Sequence, residues 1–223
     1  MPRLVKLSRL GSGGSMFFLV ERLYDILMAS TEKSCLREWR RDLLQEVHGD
    51  VLEIGAGTGA NIEFYPESVT HLVLSEPEKI MRDQLRIKAG RSVLRDITFS
   101  SASAEKVEGD DGSFDFVVTT LVCCSVVDLE TVLEQIHRVL RPGGSLVFLE
   151  HVAAERGSAR RRWQDRMTPL WRRLAGNCHF NREIENALCL AGFKISQIKR
   201  ESMRTSMPLV RPTIRGIAVK ICS

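Results

Sequence analysis

Short apolar runs alternate with stretches of helical spacing along most of the chain. Val51, Leu52 and Ile54 form the first run, the pattern of a buried strand. Residues 71–75, 98–101, 114–119 and 145–150 read as further strands. Between and before them lie helical patterns. Leu36, Trp39, Leu43, Leu44 and Val47 share one face of a helix over 34–47, which Gly49 stops. Pro77 opens a second helix at its first turn. Asp128 caps a third, with Leu129, Val132, Leu133, Ile136, Val139 and Leu140 on one face. Strands alternating with helices predict an α/β domain with a parallel sheet. The ending differs. A helix over 181–191, capped by Gly192, is followed by strands 193–200 and 213–222 with no helix between them, so these two should pair antiparallel.

The first strand runs into Glu53, Gly55, Ala56, Gly57 and Gly59, and 60–65 can start a helix. A strand, a glycine loop and a helix make a nucleotide cradle. Glycine lets the backbone approach a ligand without a Cβ in the way, and a helix start offers unpaired N–H groups. Two readings fit. Gly55, Gly57 and Ala60 match the dinucleotide fingerprint, which points to NAD or FAD. Glu53 with Gly55, Gly57 and Gly59 instead matches a pattern suited to S-adenosylmethionine (SAM). An acid at the strand end would repel a pyrophosphate but suits an ammonium and a sulfonium. Glu76 ends the second strand about 20 residues further on and can accept both hydroxyls of a ribose, in either case. The antiparallel ending favours SAM.

Composition adds bounds. A chain of 223 residues suits one domain, and a net charge of +4 does not imply nucleic acid. The six cysteines show no C-x-x-C and no metal-ligand spacing, so reduced intracellular thiols and no metal are expected. No apolar run reaches the ~20 residues that span a bilayer. Residues 1–15, basic and then Gly/Ser-rich, read as a disordered tail without a secretory signal. Residues 16–48 read as N-terminal helices. In the first of them Phe17, Val20, Leu23, Tyr24 and Leu27 have helical spacing, which fits a lid, a membrane-surface helix or a core-packed helix. The remainder, 49–223, is the ligand-binding domain. It carries an insert at 155–176 in which Arg156, Arg160, Arg161, Arg162, Arg166, Arg172 and Arg173 interleave with Trp163, Met167, Leu170 and Trp171. That insert reads as a solvated basic face, a contact with anionic lipid headgroups, or a substrate contact. No nucleic-acid module accompanies it.

Taken together, the glycine loop, Glu76, Phe114-Asp115, the turn Leu140-Arg141-Pro142-Gly143-Gly144 and the closing strand pair resemble a class I SAM-dependent methyltransferase. Gly59-Ala60-Asn61, Phe64-Tyr65-Pro66, Thr120-Leu121-Val122, Cys124-Ser125-Val126, the run from Glu150 to Glu155 and Val210-Arg211-Pro212 are similar to the methyltransferase-like thiol methyltransferases of small molecules. The resemblance implies a doubly wound, seven-stranded, mostly parallel sheet with an antiparallel last strand. It implies SAM as cofactor, with Glu53, Gly55, Ala56, Gly57 and Gly59 around its amino-acid part and Glu76 on the ribose. Pro77 and Met81 would lie near the adenine, Ser103 and Ala104 at its edge, and Thr120, Leu121 and Val122 beside the methyl donor. Many class I enzymes have Asp where this chain has Ser103. A small-molecule partner is implied. The reduced thiols and the absence of a secretory pattern lead to a cytoplasmic place, with peripheral membrane contact as an alternative.

A sulfonium methyl is already electrophilic, so such an enzyme mainly holds the reacting atoms in line. A free thiol has a pKa of about 8.5 and needs no strong base. His151, following the strand 145–150 at the ligand-bearing end of the sheet, is the candidate helper. Cys123 and Cys124 lie near the same edge and read as small buried apolar residues. A thiol is the first acceptor to expect. A lipid or quinone acceptor, or SAM binding without turnover, are the alternatives.

Overall fold

The computed structural model describes residues 30–221. The tail 1–15 and the helix expected over 16–28 lie outside the described residues. A π-wound turn, Glu32–Leu36, leads directly into α1, Arg37–Leu44. The expected apolar face is the buried one: Leu36, Trp39, Leu43, Leu44 and, just beyond, Val47. Arg40 is buried among them, a placement that apolar spacing does not reveal.

Seven strands form one sheet: β1 Gly49–Ile54, β2 Val69–Ser75, β3 Ile97–Ser100, β4 Phe114–Thr120, β5 Leu140–His151, β6 Phe193–Ser202 and β7 Pro212–Lys220. Their spatial order is β3-β2-β1-β4-β5-β7-β6. The first five are parallel neighbours. β7 runs antiparallel between β5 and β6. This is the doubly wound, mostly parallel sheet with an antiparallel last strand that the sequence predicts. The strand order reverses between β1 and β4, and ligands of open α/β sheets bind at the strand C-termini beside such a switch.

Successive strand residues face opposite sides, and the core is split accordingly. Val51, Val118 and Leu149 pack on the α1 side with Leu36 and Trp39. Leu52, Val117 and Phe148 pack on the other side with Leu133 and Ile136 of α3, Leu129–Val139. By the same alternation Glu53 shares the face of Val51, under α1.

Local boundaries differ from expectation in a few places. The helix expected over 60–65 is only a 3-10 turn, Ile62–Phe64, after which Tyr65 is extended with φ −68° and ψ 128°. Pro66 explains this, because its ring drives the preceding residue out of the helical region. α2, Lys79–Ala89, starts after Pro77 and is capped by the Glu78 side chain. β5 begins at Leu140, ahead of the expected 145–150. The helix α4 of the arginine-rich insert is Ala159–Leu174, capped by Ser158. α5 follows at Ile184–Leu190.

Candidate active site

The loop after β1 crests at Gly57, whose φ of 56° lies in the left-handed region. A Cβ on Gly57 would meet nothing within 4 Å, so the backbone there is open to a ligand. The Gly57 amide donates to Glu76 Oε2 at 2.9 Å, and the Glu78 amide donates to Oε1 at 2.9 Å. A carboxylate offers about four acceptor positions, so Glu76 keeps capacity for a diol. Gly55 closes the other side: a Cβ there would lie 2.6 Å from Val122 Cγ2. The β1 and β4 loops therefore touch. The Ser75 hydroxyl donates to the Ala102 carbonyl at 2.8 Å, tying the tip of β2 to the segment that carries Ser103 and Ala104. Met81 is half-buried in the first turn of α2, and Pro77 is exposed.

Glu53, near the end of β1, lies inside a buried network. It is buried, and its two oxygens accept from Asn61 Nδ2 at 2.9 Å and from the Tyr65 hydroxyl at 2.8 Å. Arg40 Nη1 donates to Asn61 Oδ1 at 2.8 Å and to Thr120 Oγ1 at 2.9 Å, while its Nε donates to Glu32 at 2.9 Å. This buried network links α1, the glycine loop and the end of β4. Burial pushes the Glu53 carboxyl up to about 7, against the pull of the Tyr65 hydroxyl, Arg40 and Asn61. Because the folded pKa exceeds the unfolded value of 4.5, this group's contribution to stability is full below 4.5 and is lost as pH rises through about 7. Thermal melts should show the wild type losing stability relative to Glu53→Gln between about pH 5 and 7. Parallel curves for the two proteins would show that Glu53 does not titrate there.

Beyond Thr120 the chain turns sharply. Leu121 has φ 60°, a conformation that costs a non-glycine residue about 1–3 kcal/mol. Surrounding bonds impose it. The Leu121 amide donates to Leu149 at 2.8 Å, and the Val122 and Cys123 amides both donate to Glu150 Oε1 at 3.1 Å. Glu150 is fully buried, and that burial raises its carboxyl pKa despite the two amides. Glu150 thus anchors the loop beside the expected methyl donor. In the sequence Glu150 stands out only as the first residue of the 150–155 run.

Next to Glu150, His151 Nε2 faces Cys178 Sγ at 3.1 Å. Cys124 joins them, and one ligand atom from each of the three lies within 4.8 Å of the others. The Cys178 thiol is drawn down to about 4, by Cys124 first and also by His151, while Cys124 is pushed well up. The fold thus brings together two cysteines and a histidine that no short spacing in the sequence groups. His151 and Cys178 are 27 residues apart, outside any short spacing rule, and only the fold joins them. The two cysteine loops are stitched together. The His179 amide donates to Cys124 O at 2.8 Å, and Asn177 Nδ2 donates to Ser125 O and Val126 O at 2.9 Å each.

α4 lies over this corner on polar contacts. Gln164 is fully buried; its Oε1 accepts from the Ala154 amide at 2.7 Å and its Nε2 donates to Leu209 O at 2.8 Å. Trp171 stacks on Phe180 with centroids 5.1 Å apart. Arg156 and Arg161 pair with Glu183, while Trp163 and Leu170 are exposed. Among the described residues no helix is long and apolar enough to cross a membrane.

A glycine crest open to a ligand, with an unsaturated carboxylate beside it at a strand switch, fits the nucleoside of SAM. Comparisons with known proteins agree. The family model of a methyltransferase domain matches residues 52–148. Human thiol S-methyltransferase TMT1A is 36% identical over 212 residues, covering 92% of this chain and 85% of its own. Human thiol S-methyltransferase TMT1B is 36% identical over 190 residues, covering 81% and 78%. A ubiquinone/menaquinone biosynthesis C-methyltransferase, UbiE of Geobacter sp. (strain M21), is 33% identical over 145 residues, 61% of each chain. In fold, the chain resembles a SAM-dependent methyltransferase from Mesorhizobium loti with a TM-score of 0.61 at 20% identity, covering 87% of this chain and all of that one. It also resembles the [4+2]-cyclase SpnF, with a TM-score of 0.66 at 19% identity, covering 82% and 80%. Fold alone does not separate those chemistries, but the 36% identity to TMT1A extends over most of both chains. The chain is a SAM-dependent methyltransferase and belongs to the family that includes human TMT1A and TMT1B.

Proposed function

We propose that the methyl acceptor is a small-molecule thiol, received at the corner of Cys124, His151 and Cys178. The observation that carries this reading is the contact of His151 Nε2 with Cys178 Sγ at the end of β5, near the loop that follows β4. Glu150, the carboxylate beside it, spends one oxygen on two backbone amides. The corner is thus rich in sulfur and imidazole, and suits an acceptor that ionises close to neutral pH. The thiol-named relatives support the same choice.

SAM supplies an electrophilic methyl group when bound. The chain's residues hold and orient it. Gly55, Ala56, Gly57 and Gly59 surround the amino-acid part, with Glu53 shaping that side through Asn61. Glu76 binds the ribose; Pro77 and Met81 flank the adenine, with Ser103 and Ala104 at its edge. Thr120, Leu121 and Val122, fixed by Arg40 and Glu150, line the path to the acceptor. His151 favours the thiolate form of the acceptor.

Transfer of radiolabelled methyl from SAM to a panel of small thiols tests this. Turnover is expected, and His151→Asn should lower kcat/KM about 100-fold with SAM affinity unchanged. Turnover of a quinol but of no thiol would overturn the reading and favour the chemistry named for UbiE.

A further inference from the structure

We propose that Cys124, His151 and Cys178 form a three-ligand site for a soft divalent cation of the zinc class, whose fourth position takes the acceptor thiol. The second half of this inference rests on the thiol reading above.

The donor set comes first. Two thiols and an imidazole are ligands that select zinc-class ions, whereas calcium and magnesium take oxygen. Three protein ligands with one position left open are the pattern of a catalytic zinc site; structural sites use four. The atoms are close enough for one ion, within 4.8 Å of one another. They come from three places: the loop after β4, the end of β5 and the loop after α4.

The corner is also rigid and polar but not completed by protein groups. The His179 amide and the Asn177 side chain lock the Cys178 loop to the Cys124 loop. Arg182 bonds to Cys123 O and Val126 O from the other side. A site held this way loses little on binding. Among the described residues, the buried Glu150 Oε2 and His151 Nδ1 have no hydrogen-bond partner, while the Trp171 indole is placed to donate to the Cys178 sulfur. Both unpartnered atoms belong to this corner, so its polar groups are not completed by the protein. With His151 Nε2 turned to the sulfurs, Trp171 stands where it can donate to a sulfur ligand.

Charge points the same way. A dication with two thiolates and a neutral imidazole sums to zero, and Arg182 offsets Glu150 nearby. A buried neutral cluster avoids the desolvation penalty of unpaired charges. Binding exchanges protons for the ion. Each cysteine S–H bond breaks as a sulfur–metal bond forms, and the protons pass to solvent. An incoming thiol does the same at the fourth position. It is then held as thiolate whatever its free pKa.

Cobalt(II) is the probe. Purified reduced enzyme titrated with Co²⁺ should bind one ion per chain. It should show a thiolate-to-cobalt charge-transfer band and the strong visible bands of a four-coordinate site. Cys124→Ser and Cys178→Ser should each weaken binding about 100-fold or more and diminish the charge-transfer band. Cys189→Ser, at an exposed cysteine, should change neither. SAM titration of each variant establishes that it is folded. Absence of the band in folded wild type, or its persistence in both variants, overturns the site. Addition of 2-mercaptoethanol to the cobalt protein should intensify the band; no response overturns the open fourth position. Undiminished thiol methylation after chelation would overturn the ion's role while leaving the thiol reading intact. A cobalt site in an enzyme that methylates no thiol would overturn the thiol reading alone. A disulfide between Cys124 and Cys178 in freshly reduced enzyme, detected by mass, would overturn the metal proposal.

Discussion

Glu76→Ala weakens SAM binding about 10- to 150-fold, the equivalent of about 1.5–3 kcal/mol for a hydrogen bond to a charged group. The carboxylate accepts from the Gly57 and Glu78 amides, so it holds the glycine crest and the start of α2 as well as meeting the ribose in the proposed site. Its removal therefore frees two backbone donors in addition to deleting the ribose contact. Glu76 is buried, so water replaces it poorly. Glu76→Gln separates the two effects: it keeps one acceptor oxygen and the shape, and should fall between the wild type and Glu76→Ala. Calorimetric titration with SAM reads both variants. An unchanged Kd in Glu76→Ala would take Glu76 out of the site and leave it as a loop brace.

Arg40→Met destabilises the folded protein by about 1–3 kcal/mol, the cost of leaving buried acceptors without their donor. The Arg40 side chain is 7% exposed and pairs with Glu32 at 2.9 Å. It also donates to Asn61 and Thr120, and its charge lies near the buried Glu53. Methionine fills much of the volume but satisfies none of these acceptors. The loss registers as a lower urea midpoint at unchanged m-value. Arg40→Met combined with Glu53→Gln should recover part of it, because the two groups interact and their effects are not additive. A loss below about 1 kcal/mol would place Arg40 among surface pairs. SAM affinity should fall as well, since Thr120 keeps only the longer bond from Asn61 Nδ2, at 3.2 Å.

The sequence by itself determined what depends on near neighbours along the chain. Apolar periodicity is local, so the five parallel strands, the buried face of α1 and the antiparallel ending were all readable from it. The glycine loop is local too, and one short segment contains both the turn and the acid that argued for SAM over NAD. Pro66 cuts the helix expected over 60–65 to a single turn, an effect that is local as well. Tertiary structure alone decided the polar interior. Alternation along β1 turns Glu53 under α1, where Asn61 and Tyr65 donate to its two oxygens, and no spacing in the sequence announces those partners. Glu150 became the anchor of the Leu121 turn because β4 and β5 are adjacent and in register. Cys178 meets His151 and Cys124 only because the loop after α4 folds back over the ends of β4 and β5. Hydrophobic burial repeats with the period of its element and so leaves a trace in sequence. A buried hydrogen bond or ligand set needs only that its few atoms meet in space, and it leaves no periodic trace.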